Sequence, residues 1–289
     1  MNPLDTVQLT RLMQLSSGTA NIVVGLIDGP VTTNHPDLTT SNIREVDGQM
    51  RGTCASASSL ACAHGTFVAG ILCARRESVA PAICPGCTLL VRPIFTETSN
   101  GDRTMPSASP EELATAILEC LEAGAHVLNL SVGLAQPSTR GERALEEALA
   151  LAARRGVIVV AAAGNQATVG SSAITRHAWV IPVVACDERG RPTDQSNLGS
   201  SIGRRGLTAP GDTVVSLGTG SKPITADGTS IATPFVTGAV ALLRSLFPKA
   251  SGAQVKLAVS QAGTGRRGGI APPLLNAWAA YQTLATAQA

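Results

Sequence analysis

Asp28, His64 and Ser230 each lie close to a glycine in a short run of small and apolar residues: Ile27-Asp28-Gly29, His64-Gly65-Thr66 and Gly228-Thr229-Ser230. A carboxylate, an imidazole and a hydroxyl are what nucleophilic attack on an acyl group needs. The imidazole takes the hydroxyl proton, and the carboxylate holds the imidazole in one tautomer and stabilises its charged form. The developing oxyanion needs donors as well. Asn165, in Ala162-Ala163-Gly164-Asn165, offers a side-chain amide. Ser230 offers its own N–H if it opens a helix, where orphan donors and the positive end of the dipole favour an anion. Pro234 fits a helix start there, since a proline near the first turn lacks only an N–H that has no partner within the helix.

Such groups need a frame. Val23-Val24-Gly25-Leu26-Ile27 precedes Asp28, which puts the carboxylate at the carboxyl end of a buried strand, where open α/β sheets bind ligands. Gly29 and Pro30 then turn the chain away. His64 is expected at the start of an apolar helix over 67–74, and Ser230 at the mouth of one running to about Leu246. Strand-like runs at 22–27, 88–94, 126–130, 157–162 and 179–185 alternate with helical periodicity at 110–123 and 143–155. Apolar residues recur at Leu113, Ala116, Ile117 and Cys120 in the first of these helices, and at Leu145, Ala148, Leu149 and Ala152 in the second. Gly124 and Gly156 close them. The pattern predicts an α/β fold of three layers with a mostly parallel sheet, in one continuous domain over 1–289. The loops at 96–109 and 167–172, rich in Ser, Thr, Gly and Pro, read as surface connections near a site.

Composition narrows the partners. The 289 residues are 44% hydrophobic but only 2% aromatic, so the core must be built from Ala, Val, Leu and Ile. A net charge of +2 gives no electrostatic support for nucleic-acid or membrane binding. No stretch reaches the roughly 18 uninterrupted apolar residues of a membrane span. Met1-Asn2-Pro3-Leu4-Asp5 lacks the pattern of a secretory signal, which makes the cytoplasm the default expectation. Of seven cysteines, at least one must be free. Cys73, Cys120 and Cys186 lie in apolar segments and read as small core residues. Cys84 and Cys87 have a C-x-x-C spacing open to zinc, redox chemistry or a disulfide. The wide spacing of Cys54 and Cys62, with no histidine at ligand spacing, weighs against zinc and favours free thiols or local disulfides. His35, His126 and His177 lack a chemical setting and read as structural. No metal and no cofactor is expected.

Longer strings carry a resemblance. Ile27-Asp28-Gly29, His64-Gly65-Thr66-Phe67-Val68-Ala69-Gly70, Asn129-Leu130-Ser131-Val132-Gly133, Ala162-Ala163-Gly164-Asn165, Ala209-Pro210-Gly211 and Gly228-Thr229-Ser230-Ile231-Ala232-Thr233-Pro234, in this order, resemble the subtilisin family of serine proteases. The resemblance runs from about Val7 to the last helix. It implies a subtilisin-like fold, a catalytic triad of Asp28, His64 and Ser230, and Asn165 in the oxyanion hole. It also implies that Ser131, Val132 and Gly133 pair as a strand with a peptide substrate and wall the S1 pocket opposite Ala162, Ala163 and Gly164.

Leu26-Ile27-Asp28-Gly29-Pro30-Val31, Ala61-Cys62-Ala63-His64-Gly65-Thr66 and Arg92-Pro93-Ile94-Phe95 are similar, more narrowly, to the PatA-like maturation proteases of cyanobactin-type peptides. That implies an endopeptidase removing the leader from a ribosomal precursor peptide. The same scaffold would also serve a general intracellular protease, a peptide macrocyclase or ligase, or a non-catalytic scaffold that binds a precursor peptide. The intact triad weighs against the scaffold. Arg75-Arg76-Glu77 passes directly to Val79-Ala80-Pro81, without the longer loop that carries calcium in many relatives. Macrocyclising relatives carry a helical insertion between the Asp and the His. Here 36 positions separate the two, and 40–59 shows no helical apolar stripe, so hydrolysis is expected over ligation.

Overall fold

The computed structural model describes residues 2–38, 42–46, 51–95, 97, 108–132, 142–263 and 268–288. Two short helices, α1 (Pro3–Thr6) and α2 (Leu9–Leu15), lead into β1 (Val23–Asp28) and β2 (Ile43–Glu45). Helix α3 (Leu60–Cys73), β3 (Thr88–Pro93), α4 (Pro110–Glu122), β4 (Val127–Leu130), α5 (Arg143–Arg154) and β5 (Ile158–Ala162) follow in alternation. Then come α6 (Ala173–Arg176), β6 (Val180–Cys186), α7 (Ser200–Arg205) and β7 (Leu207–Pro210), and a small antiparallel pair, β8 (Val214–Ser216) with β9 (Ile224–Ala226). Helices α8 (Thr229–Leu246), α9 (Gly252–Gln261) and α10 (Ala277–Gln288) complete the described chain.

Seven strands form one sheet in the order β2-β3-β1-β4-β5-β6-β7, every neighbouring pair parallel. Strand β1 pairs with β3 on one side and β4 on the other, so the chain order reverses at its carboxyl end, the point at which open sheets leave a crevice. Asp28 is the last residue of that strand.

The strands β1, β3, β4, β5 and β6 are buried along their whole length, which is why they read as continuous apolar runs rather than as alternating ones. Val24 and Leu26 pack with α3 and α8 on one face, together with residues of α2, α9 and α10. Val23 and Ile27 pack with α4 and α5 on the other. Three layers result. By length and composition α8 could cross a membrane, yet its apolar residues are the centre of the first of these cores.

Local signals set the helix ends. Ser109 and Glu112 form a capping box at the start of α4, with Pro110 in its first turn. Gly124 and Gly156 take left-handed φ values of 84° and 68° after α4 and α5, as the sequence led one to expect. Helix α3 differs. Its cap is Ser59, whose hydroxyl accepts from the Cys62 N–H, so the helix begins at Leu60 and His64 lies in its second turn rather than at its start.

Helix α3 crosses the end of β1 at backbone contact distance. A β-carbon added at Gly65 would stand 2.4 Å from the carbonyl oxygens of Gly29 and Pro30, and one at Gly29 would stand 2.0 Å from the Ala61 carbonyl oxygen. Neither backbone can yield without moving an element. Gly65→Ala should therefore cost about 1–3 kcal/mol through overpacking and lower Tm by several degrees. A thermal melt superimposable on wild type would show that this contact is looser than described.

Candidate active site

The three groups singled out by type meet in space. Asp28, with no exposed surface, accepts on Oδ1 from its neighbour's Gly29 N–H at 2.6 Å and faces His64 Nδ1 at 2.7 Å. His64 Nε2 stands 2.9 Å from Ser230 Oγ. Because the Asp28 carboxylate can only accept, Nδ1 carries the ring proton, and Nε2 is left to accept from the serine hydroxyl. The other carboxylate oxygen, Oδ2, is buried without a hydrogen-bond partner among the described residues.

Ser230 is the second residue of α8, whose cap is Gly228. Its N–H therefore belongs to the first turn and has no acceptor within the helix. Pro234 sits further along than the sequence suggested. As the sixth helical residue, it would have bonded the Ser230 carbonyl four residues back had it carried an N–H. Its ring instead frees that carbonyl, and the Ser131 hydroxyl donates to it at 3.1 Å. Ser131 Oγ in turn accepts from Asn129 Nδ2 at 2.7 Å, and Asn129 Oδ1 accepts from the Thr237 hydroxyl at 2.8 Å. This buried chain ties the Ser230 backbone to β4. Leu130 is in register with Ile27, which brings Ser131 level with Asp28 at the same sheet edge.

Asn165 lies on the exposed loop after β5, and its side chain is turned by Thr229. The amide oxygen accepts from both the N–H and the hydroxyl of Thr229, each at 2.9 Å, so Nδ2 is the group left to donate outward. Gly228, at φ 128°, leaves room for it, since a β-carbon there would come within 2.9 Å of Nδ2. The Gly164 N–H donates to the Thr229 hydroxyl at 3.1 Å, fastening the same loop. Ala162 and Ala163 are buried at the end of β5, and Val132 is buried just after β4. Gly133, the remaining residue of the expected substrate strand, lies outside the described residues.

The sequence reading did not single out Thr229 or Thr237, and it took Asn129 only as part of a motif. Thr229 had a signal, its place between Gly228 and Ser230. The partnership of Asn129 with Thr237 spans 108 positions and leaves no mark in local spacing.

Histidines without a chemical setting are structural, as expected. His35 bridges the Asp37 N–H and the Gly220 carbonyl, His126 Nδ1 accepts from the Val23 N–H, and His177 Nδ1 accepts from the Trp179 N–H. Cys54 and Cys62 are joined in a disulfide, while Cys73, Cys84, Cys87, Cys120 and Cys186 are buried free thiols. Burial pushes the Cys120 and Cys186 thiols up to about 12, which makes them inert core residues.

Residues 19–271 match the model of the subtilase family, and the chain belongs to that family of peptidases. It is 32% identical over 238 residues to Subtilisin Savinase of Lederbergia lenta, which covers 82% of this chain and 81% of that protein. It is 31% identical over 202 residues to the Thermostable alkaline protease of Halalkalibacterium halodurans, covering 70% of this chain but only about half, 52%, of that protein's length. Among solved structures, the protease domain of PatA superposes with a TM-score of 0.85 at 31% identity, covering 93% of this chain and 97% of that one. Prenylagaramide maturation protease PagA does so at 0.83 and 28% identity, covering 96% and 98%. The PatG macrocyclase, at 19% identity and a TM-score of 0.81, shares the fold.

Burial by itself would lower the His64 pKa, but the charge of Asp28 and the hydrogen bond to it outweigh that, and the net shift is upward from 6.5. Protonated His64 paired with Asp28 therefore adds stability that is fully present below the ordinary imidazole pKa and is lost as pH rises through the raised one. Activity should run the opposite way, because only neutral His64 can accept the serine proton. The acid limb of kcat/KM should titrate above 6.5, and Asp28→Asn should lower the limb and cut kcat by about 10⁴. A limb at or below the ordinary value in the unsubstituted protein would contradict the pairing.

Proposed function

We propose that this chain is a serine endopeptidase that hydrolyses peptide bonds through an acyl-enzyme on Ser230, and that its substrate is a ribosomal precursor peptide from which a leader is removed. The observation that carries the chemistry is the unbroken relay from buried Asp28 through His64 to Ser230, at 2.7 and 2.9 Å. His64 Nε2 takes the Ser230 hydroxyl proton as Oγ bonds to the scissile carbonyl carbon. The oxyanion is received by Asn165 Nδ2 and the Ser230 N–H. The C–N bond then breaks as His64 returns the proton to the leaving amine, and water attacks the ester by the same route.

The likeness to PatA and PagA, the second a maturation protease by name, supports the precursor-peptide substrate. A general peptidase is the second reading, favoured by the 32% identity to Savinase, beside 31% to PatA and 28% to PagA. Comparing cleavage of a leader-bearing peptide with that of an unstructured protein such as casein separates the two. Strong selectivity for one junction supports maturation, and cleavage of both at many sites supports the general peptidase.

Ser230→Ala and His64→Ala should each abolish turnover without changing the fold, and a fluorophosphonate should label Ser230 alone. Asn165→Ala should lower kcat by about 10²–10³ with little change in KM, the size known for the corresponding amide of subtilisin. An unaltered kcat would remove Asn165 from the reaction.

The described part of the connection from Asp28 to His64 holds β2 and no helix before α3. A helix in that connection is what would cover an acyl-enzyme against water. Linear products, each carrying the added water in mass spectrometry, are expected from a precursor peptide, and a dominant cyclic product would overturn hydrolysis.

A further inference from the structure

Cys54, Cys62 and Glu97 converge on the first turn of α3 and take no part in the chemistry above. The disulfide joins the loop before α3 to the helix itself, with the Cα atoms 5.7 Å apart. Glu97, in the segment after β3, reaches over the same loop and accepts from the N–H groups of Ala55 and Ser56 at 3.0 and 2.9 Å. Its Oε1 also lies 2.5 Å from Cys62 Sγ.

That last contact has no partner of opposite charge in the oxidised form. A disulfide sulfur carries no proton, so a carboxylate oxygen and an electron-rich sulfur face each other with nothing between them. A thiol would donate to the oxygen, and a cation would be bound by both. One ligand atom from each of the three residues lies within 4.8 Å of the others. Zinc bonded to sulfur at about 2.3 Å and to oxygen at about 2.0–2.2 Å needs tetrahedral ligand atoms spaced by a little under 4 Å. Opening of the S–S bond would let the sulfurs separate to that spacing. Cys62 is buried, whereas Cys54 and Glu97 are half-buried.

We propose that reduction of the Cys54–Cys62 disulfide turns it, with Glu97, into a zinc site, so that the loop is clasped to α3 either by a disulfide or by a metal. A dithiol or a phosphine supplies two electrons. The S–S bond breaks and two S–H bonds form, the two protons coming from the dithiol as it leaves as its disulfide or, with the phosphine, from the water whose oxygen it carries off as its oxide. Zinc then displaces both thiol protons, forming two Zn–S bonds and one Zn–O bond, and water fills the fourth position. Cys62 is two residues from His64 on the same helix, so either clasp holds the turn that leads into the imidazole.

The test is zinc binding by the full chain, oxidised and then phosphine-reduced, measured in competition with a chromophoric chelator. Reduction should add one equivalent of zinc. Cys73, Cys84, Cys87, Cys120 and Cys186 are free thiols in both forms, so whatever they bind cancels in the difference. Reduced Cys54→Ser should lose the added equivalent, and Glu97→Gln should weaken it by at least the about 10–100-fold that loss of a supporting partner costs. Zinc should also raise the Tm of the reduced protein and leave that of the oxidised protein unchanged. Equal zinc in the two forms of the wild-type chain would overturn the proposal, and this comparison needs no variant to fold. Retention of the extra equivalent by Cys54→Ser would overturn it as well.

Discussion

Burying a carboxylate costs several kcal/mol unless charge and hydrogen bonds offset it, and Asp28 has no exposed surface. Its position at the end of the strand where the sheet order reverses gives it two compensating donors, the Gly29 N–H and His64 Nδ1. The second can arrive only if α3 crosses the strand end at backbone distance, and that is what Gly29 and Gly65 permit. The tautomer of His64, the aim of its Nε2 and the upward shift of its pKa all follow from satisfying this one buried charge.

The hydroxyl end of the relay is held by a different device. Helix α8 has a gap in its hydrogen-bond ladder at Pro234, and the freed Ser230 carbonyl is taken by Ser131 at the end of β4. Thr229 grips the Asn165 loop from the other side. Ser230 is thus positioned by bonds to its backbone from the sheet, while the Asn165 amide is positioned by the start of the helix that carries Ser230. These contacts join elements far apart in the chain without any of them touching the reacting atoms.

What could be read from the sequence depended on whether a signal was local. Fully buried strands such as β1 and β6 announce themselves as apolar runs, whereas β2, β8 and β9 have three residues each and include exposed ones, too little for a period to show. Glycine-flanked motifs singled out Asp28, His64 and Ser230 by type, and the fold brings their side chains within hydrogen-bond distance. The start of α3 was misjudged because the small residues Ala61, Cys62 and Ala63 carry a weaker pattern than the run from Phe67, although Ser59 is a good cap. Pro234 was assigned to the first turn, where it would be neutral, and its actual place gives it a role that composition cannot reveal. The Cys54–Cys62 pairing is likewise a fact of three dimensions.

The burial of α8 also bears on how such a protein fails. From Ile231 to Leu243 that helix has no exposed residue, and it packs against β4, β5, β6 and β7. Ser230 is one step outside this stretch. Ser230 can therefore leave its place only if the helix shifts, and the helix can shift only if the sheet's main core opens with it. Partial opening at the edges, which loosens the termini and loops of many proteins first, would leave the relay in register. Displacement of Ser230 and opening of the main core are therefore coupled, whereas the exposed loop that carries Asn165 can open on its own.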